Sequence, residues 1–239
     1  MFWYDHFVKK LKQLLIRYLL LLMLAFVLVS LLIVVPFRWL NPPITMVMME
    51  RWLYSDNDHF KLKQTWLSWD AIPKHAALAV VTSEDQLFPL HKGFDVDSIM
   101  KSLRASDEGG QLRGASTISQ QVARNVYLWT GRSWLRKGLE AWFTLLIEFT
   151  WGKQRILEVY LNIAEWGEGV FGLEAASQYH FGQSAKRLSP MQEALLASCL
   201  PSPIRFDPAK PSAHIRARAE WNLKQQKRLG GERWLKQMD

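Results

Sequence analysis

Residues Tyr18 to Phe37 carry no charged side chain. This run of 20 residues matches the roughly 20 that a helix needs to cross a bilayer core. It is longer than the apolar region of a signal peptide, and no small-x-small cleavage site follows it. The chain is therefore predicted to span a membrane once, and whatever else it folds into must sit beside that helix. Four bases precede the span (Lys9, Lys10, Lys12, Arg17) against one acid, Asp5, whereas Arg38 stands alone behind it until Glu50 and Arg51. The excess of bases before the span places residues 1–17 in the cytoplasm, 18–37 in the membrane and 38–239 outside.

The whole chain has a formal net charge of +8. Four bases less one acid give +3 before the span, which leaves +5 beyond it. A basic balance outside the membrane points to an anionic partner such as lipid headgroups, a diphosphate or a polyanion, and nucleic acid is not expected there. The hydrophobic share of 49% excludes a disordered chain. The single cysteine, Cys199, excludes an intrachain disulfide and a multi-cysteine metal site. The 12 Trp residues fit an interface or a carbohydrate surface, and equally a packed core.

Asn41-Pro42-Pro43 is predicted to break the spanning helix just outside the membrane. The core-forming helices are expected beyond Pro43, so that residues 1–37 are dispensable for folding. Sustained alternation is absent, so few strands are expected, and helix signals are frequent. Ala76 to Glu84 reads as a buried helix. Thr117-Ile-Ser-Gln120 has capping-box spacing ahead of Val122 to Trp129. Ser133 caps a helix running to about Trp151, and Lys153 to Ala164 forms another. Ser189, Pro190 and Gln192 open a last one, which Pro201 and Pro203 end. The domain is predicted to be mostly α.

Three stretches could carry chemistry. In the first, the apolar helix 76–82 delivers Glu84 and Asp85 at its C-terminal end, the end of the helix dipole that disfavours anions. An acid held beside apolar residues gains proton affinity, which suits a general acid or base. Otherwise the pair is a solvated helix end, with His91 and Asp95 bonding the loop. In the second, Gly114-Ala-Ser116-Thr117-Ile-Ser119-Gln120-Gln121-Val-Ala-Arg124-Asn125 leads a small-residue turn into a helix carrying hydroxyls and amides. Such a helix start can hold phosphate oxygens, and ordinary capping is the alternative. In the third, Arg136 and Lys137 both reach Glu140 on one helix face, either as a structural ion pair or as part of a site. Between Lys101 and Lys137 there are seven bases and two acids, a basic cluster suited to an anionic ligand near a carboxylate pair.

Other matches lead elsewhere. Ser98-Ile-Met-Lys101 and Ser55-Asp56-Asn57 match two motifs of penicillin-binding acyl-enzymes, but in reversed order and with no Lys-Thr-Gly following. The histidines at 6, 59, 75, 91, 180 and 214 show no metal-ligand spacing, so no protein-held metal is expected. Cys199 lies in an apolar helix and reads as core.

Four motifs in order carry a resemblance. They are Glu84-Asp85-x-x-Phe88-x-x-His91-x-Gly93-x-Asp95, Gly114-x-Ser116-Thr117-x-x-Gln120-Gln121, Arg132-x-x-x-Arg136-Lys137-x-x-Glu140 and Lys153-x-x-Ile156-Leu157-Glu158-x-Tyr160-Leu161-Asn162. Together they resemble glycosyltransferase family 51, the peptidoglycan glycosyltransferases, over roughly Asn41 to Pro208. With one anchor and no transpeptidase domain, the chain resembles the single-activity members. The resemblance implies a lysozyme-like fold with a head and a membrane-dipping jaw. It also implies polymerisation of lipid II, with release of the lipid diphosphate, on the outer face of a bacterial inner membrane.

The resemblance also assigns residues. Glu84 matches the family's catalytic base and Glu140 its second acid. Arg132 and Lys137 match its donor-site cations, and Ser116, Gln120 and Gln121 match its polar contacts. Arg124 stands where the family usually has Lys, and the two are not interchangeable at phosphates. An inverting displacement needs a base for the attacking sugar hydroxyl and cations for the departing diphosphate. No tightly bound cofactor is implied. A divalent cation, Mg or Mn, at the diphosphate is an option, with Glu140 either helping to bind it or positioning the basic side chains. Expected partners are lipid II, the growing glycan, the membrane, and proteins of cell division or elongation. Two rivals compete with this reading. A lytic transglycosylase or muramidase would share the carboxylates but has no diphosphate to neutralise. A non-catalytic scaffold of the wall machinery would need neither Glu84 nor Glu140.

Overall fold

The computed structural model describes residues 2–55, 60–107, 116–131 and 133–238. The first helix, α1 (Phe2–Val34), passes through a short 3-10 turn, Val35–Arg38, into α2 (Met46–Leu53). The body follows as α3 (Lys74–Glu84), α4 (Val96–Asp107), α5 (Ile118–Tyr127), α6 (Trp134–Thr150), α7 (Lys153–Ile163), α8 (Leu173–Phe181), α9 (Pro190–Cys199) and α10 (Ala213–Arg228). Three very short strands, β1 (Lys63–Gln64), β2 (Glu165–Gly167) and β3 (Val170–Phe171), form a small sheet. In it β3 lies between a parallel β1 and an antiparallel β2. The fold is mostly α-helical, with one apolar N-terminal helix long enough to cross a membrane among the described residues.

The helix starts follow local chemistry. Thr117 and Ser189 each accept the backbone N–H three residues on, while Gln120 and Gln192 reach back to the cap backbone, so both capping boxes form. Ser133 and Ser212 cap α6 and α10 in the same way.

The apolar helical stretch reaches Arg38, but its α-helical part tightens before that. It gives way at Val34, because Pro36 has no N–H to donate and its ring clashes with the preceding turn, well before the Asn41-Pro42-Pro43 break. The core also begins earlier than Pro43. Val34 is fully buried and belongs to the main hydrophobic cluster, together with Phe88, Ile118, Ile147, Ile156, Tyr160 and Trp166. The Trp151 indole N–H donates to the Val34 carbonyl at 2.9 Å. Arg155 donates to the carbonyls of Phe37 at 3.0 Å and Leu40 at 2.6 Å. The rings of Phe26 and Trp142 lie 5.5 Å apart. These contacts advance together along α1 and α6, so the two helices run in the same direction where they touch. Residues 34–41 thus touch the body of the domain directly.

Around that core, α5 packs on α6 and α7, and α9 packs on α3 and α10. The first group brings Gln121 and Arg124 to the end of α3, and α10 of the second brings Arg218 there.

Candidate active site

Every residue of α3 from Ala76 to Thr82 is buried. The helix is therefore fixed on all sides, and its last residue, Glu84, emerges into a cleft of about 410 Å³. Asp85, Asp95, Ser98, Ser116, Thr117 and Trp221 share this cleft. Burial pushes the Glu84 carboxyl above its ordinary value of 4.5. A hydrogen bond from Gln121 and the charges of Arg218 and Arg124 pull the other way, and Asp85 adds to the rise. Gln121 Nε2 donates to Glu84 Oε2 at 2.8 Å. The raised proton affinity expected from sequence is therefore present, and its main cause is burial.

The neighbouring Asp85 does a different job. Its side chain is enclosed and accepts the amide N–H of Ile118 at 3.0 Å and the His91 Nε2–H at 2.9 Å. It thereby clamps the end of α3 to the start of α5 and to the 88–93 loop. Gly93 closes that loop at φ +90°, where a Cβ would come within 2.8 Å of Thr144 Cγ2. Its carbonyl accepts the Thr117 hydroxyl at 2.7 Å.

On α5 the two glutamines diverge. Gln120 is buried, and its Oε1 accepts the Thr117 N–H at 3.0 Å, so this amide serves the cap. Gln121 and Arg124 lie one turn apart and face a second cavity of about 560 Å³. Arg51, Arg136, Tyr160, Ser202 and Arg205 also line it. Gln121 thus stands between a carboxylate cleft and a guanidinium-rich cavity. Sequence reasoning flagged Arg124 and Gln121 but missed Arg51 and Arg205, which come from α2 and from the turn after α9, outside the basic cluster.

Glu140 is almost fully buried on α6. Arg136 Nη1 donates to its Oε2 at 2.8 Å, and Lys137 Nζ binds its Oε1. Arg136 is mostly buried, while the Lys137 side chain is 43% exposed. Both carboxylate oxygens are therefore committed to cations. Among the described residues no group of three or more His, Cys, Asp or Glu could hold a metal. With its oxygens so engaged, Glu140 does not make a ready cage for a divalent ion. Arg132, and the Gly114 that opens the second motif, lie outside the described residues, as do Asp56 and Asn57 of the acyl-enzyme match. Ser98 donates to Asp95 Oδ2 at 2.6 Å. The buried Cys199 thiol is pushed up to about 12 by burial.

Two comparisons bear on this geometry. Residues 54–227 match the family model described as transglycosylase. The biosynthetic peptidoglycan transglycosylase of Pseudomonas aeruginosa is 52% identical over 219 residues, covering 91% of this chain and 94% of that protein. The protein of the same description from Chromohalobacter salexigens is 51% identical over 225 residues, covering 93% and 96%. With the family model spanning most of its length and likeness of this degree running nearly end to end, the chain belongs to the transglycosylase family.

Proposed function

We propose that the chain is a peptidoglycan glycosyltransferase that polymerises lipid II into glycan strands, releasing undecaprenyl diphosphate and carrying no transpeptidase activity. The observation that carries this reading is the placement of Glu84 and the guanidinium-lined cavity on opposite sides of Gln121. An inverting displacement needs a base on one side of the reacting carbon and charge neutralisation on the other. The acceptor hydroxyl attacks the anomeric carbon of the donor and gives its proton to Glu84. The bond from that carbon to the diphosphate oxygen breaks, and the electron pair leaves with the diphosphate. Arg124, Lys137 and Arg132 neutralise the departing group, and Glu140 holds Arg136 and Lys137 in place. Ser116 in the cleft and Gln121 orient the sugars, while Gln120 supports them through the cap it closes.

The same reading divides the chain into a cytoplasmic 1–17, a membrane segment 18–37 and a periplasmic 38–239, with the protein held in the bacterial inner membrane. It also divides the domain into a head and a membrane-associated jaw built on α2 and α6. In support, Trp134, Leu135 and Phe149 stand exposed on α6, and Trp52 and Leu53 on α2. The Trp142 contact is made at Phe26, eight residues or about 12 Å of helix on the membrane side of Val34. That depth keeps the jaw in the outer leaflet, where the lipid-tailed donor resides. Division or elongation proteins are the natural recruiters of such an enzyme.

The test is purified full-length protein given labelled lipid II or finished glycan strands. Polymer from the first and no cleavage of the second is the expected result. Cleavage of finished glycan would make it a lytic enzyme, and inertness toward both would make it a scaffold.

A further inference from the structure

The Tyr160 hydroxyl, buried on α7, donates to Gln121 Oε1 at 3.1 Å, and the amide nitrogen of the same Gln121 donates to Glu84 Oε2. We propose that Tyr160 is a positioning residue, which acts through Gln121 to fix the orientation of Glu84 and hold it as a carboxylate ready to accept a proton. The inference rests on the reading of Glu84 as the base.

The reasoning is local. A glutamine amide has one acceptor end and one donor end, and nothing intrinsic decides which faces a neighbour. Tyr160 decides it here, because a hydroxyl donated to Oε1 turns the NH2 group toward Glu84. With the amide reversed, its oxygen would oppose a charged carboxylate. Tyr160 is 2% exposed, so its hydroxyl is largely withdrawn from bulk water. Its ring belongs to the main core, which fixes the position of the oxygen.

Other charges face Glu84, and none performs this task. Arg218 acts from α10 and Arg124 from α5, both favouring the carboxylate. Asp85 opposes it from the adjacent position, but its own oxygens are tied to His91 and Ile118. Asp95 shares the cleft and accepts from Ser98. Tyr160 itself feels Glu84, Arg124 and Asp85, and burial raises its own proton affinity well beyond the ordinary phenol range. It therefore stays a neutral donor throughout the working range.

The test is a double-mutant cycle on the full-length enzyme, with kcat and KM for lipid II measured across pH. Tyr160→Phe removes only the hydroxyl. Its acidic limb is expected to move up in pH by several tenths of a unit and kcat to fall by about tenfold, with KM within about twofold. Gln121→Leu should shift the limb in the same direction. Adding Tyr160→Phe to Gln121→Leu should then change nothing more, because the path from Tyr160 to Glu84 is already cut. An unmoved limb in Tyr160→Phe overturns the proposal, and so does an equal loss from Tyr160→Phe in both backgrounds. If Tyr160→Phe melts below the assay temperature, Gln121→Leu alone decides, and an unshifted limb there overturns it. Failure of the underlying reading looks different, because Glu84→Gln would then retain activity.

Discussion

Asp85 Oδ2 accepts the backbone N–H of Ile118 at 3.0 Å, which stitches the C-terminal end of α3 to the N-terminal end of α5. The base candidate Glu84 and its donor Gln121 sit immediately on either side of that stitch. The separation of labour between two adjacent acids follows from direction alone. Asp85 is tied to Ile118 and His91, while Glu84 keeps an oxygen toward the cleft for chemistry.

Glu84→Gln should lower lipid II polymerisation by at least about 10²-fold, as expected for loss of a general base. Its effect on stability should depend on pH. The folded protein raises the Glu84 proton affinity above 4.5, so the folded state favours the neutral form. That contribution is complete below 4.5 and is lost as pH rises through the folded-state value. The glutamine variant should therefore melt above wild type at alkaline pH and level with it below pH 4.5. Thermal melts at both ends of that range check the sign, and near-normal turnover would remove Glu84 from the base role.

Lys137 and Glu140 should separate function from folding. Lys137→Ala removes a side chain that is 43% exposed, so its stability cost should stay below about 1 kcal/mol while activity falls. Glu140→Gln leaves the mostly buried Arg136 without its carboxylate, at a cost of about 3 kcal/mol or more. Denaturant melts beside turnover assays measure both. A Lys137→Ala variant that is destabilised yet fully active would reverse the assignment.

Two N-terminal truncations probe the junction with the anchor. Removing residues 1–29 keeps the Val34, Phe37 and Leu40 carbonyls, and removing 1–41 deletes them. The longer deletion strips the acceptor from the buried Trp151 indole, which costs about 1–3 kcal/mol, and removes two carbonyl acceptors from Arg155, which keeps Glu158 at 3.0 Å. Its melting temperature should fall clearly below that of the shorter deletion, measured in the same detergent. Equal values would mean that the junction contributes nothing.

Benzylpenicillin should leave the protein mass unchanged. Ser98 is the one serine in an S-x-x-K match, and its hydroxyl is already given to Asp95. A penicilloyl adduct on Ser98 in an intact-mass spectrum would overturn this.

What could be read from sequence was local. The boxes at Thr117 and Ser189 are written within four residues and form as spaced. The Glu140 pairing lies within one helical turn and forms with both predicted cations. The change from α to 3-10 geometry after Val34 was not legible, because apolar residues continue past Pro36 to Phe37 and hide the proline's effect. The bonds from Asp85 to Ile118 and from Tyr160 to Gln121 join residues 33 and 39 positions apart. No spacing rule reports such pairs, since they exist only once α3, α5 and α7 are packed. The separation of Gln120 from Gln121 was equally hidden, because both are glutamines in one motif and only the helix phase sends one to the cap and the other to the cleft.

The junction at Val34, Phe37 and Leu40 also bears on how this enzyme would meet its substrate. A domain on a loose tether tumbles through many orientations, and most of its collisions with a lipid-tailed molecule present the wrong face. Here Trp151 and Arg155 fasten the body to the end of its own anchor, and Trp142 braces it lower down. With α1 spanning a bilayer as proposed, tilting would be restrained, and spin about the bilayer normal would be the rotation that remains. The search for substrate would then reduce to lateral drift plus a single angle, with the mouth of the cleft held near one height relative to the membrane.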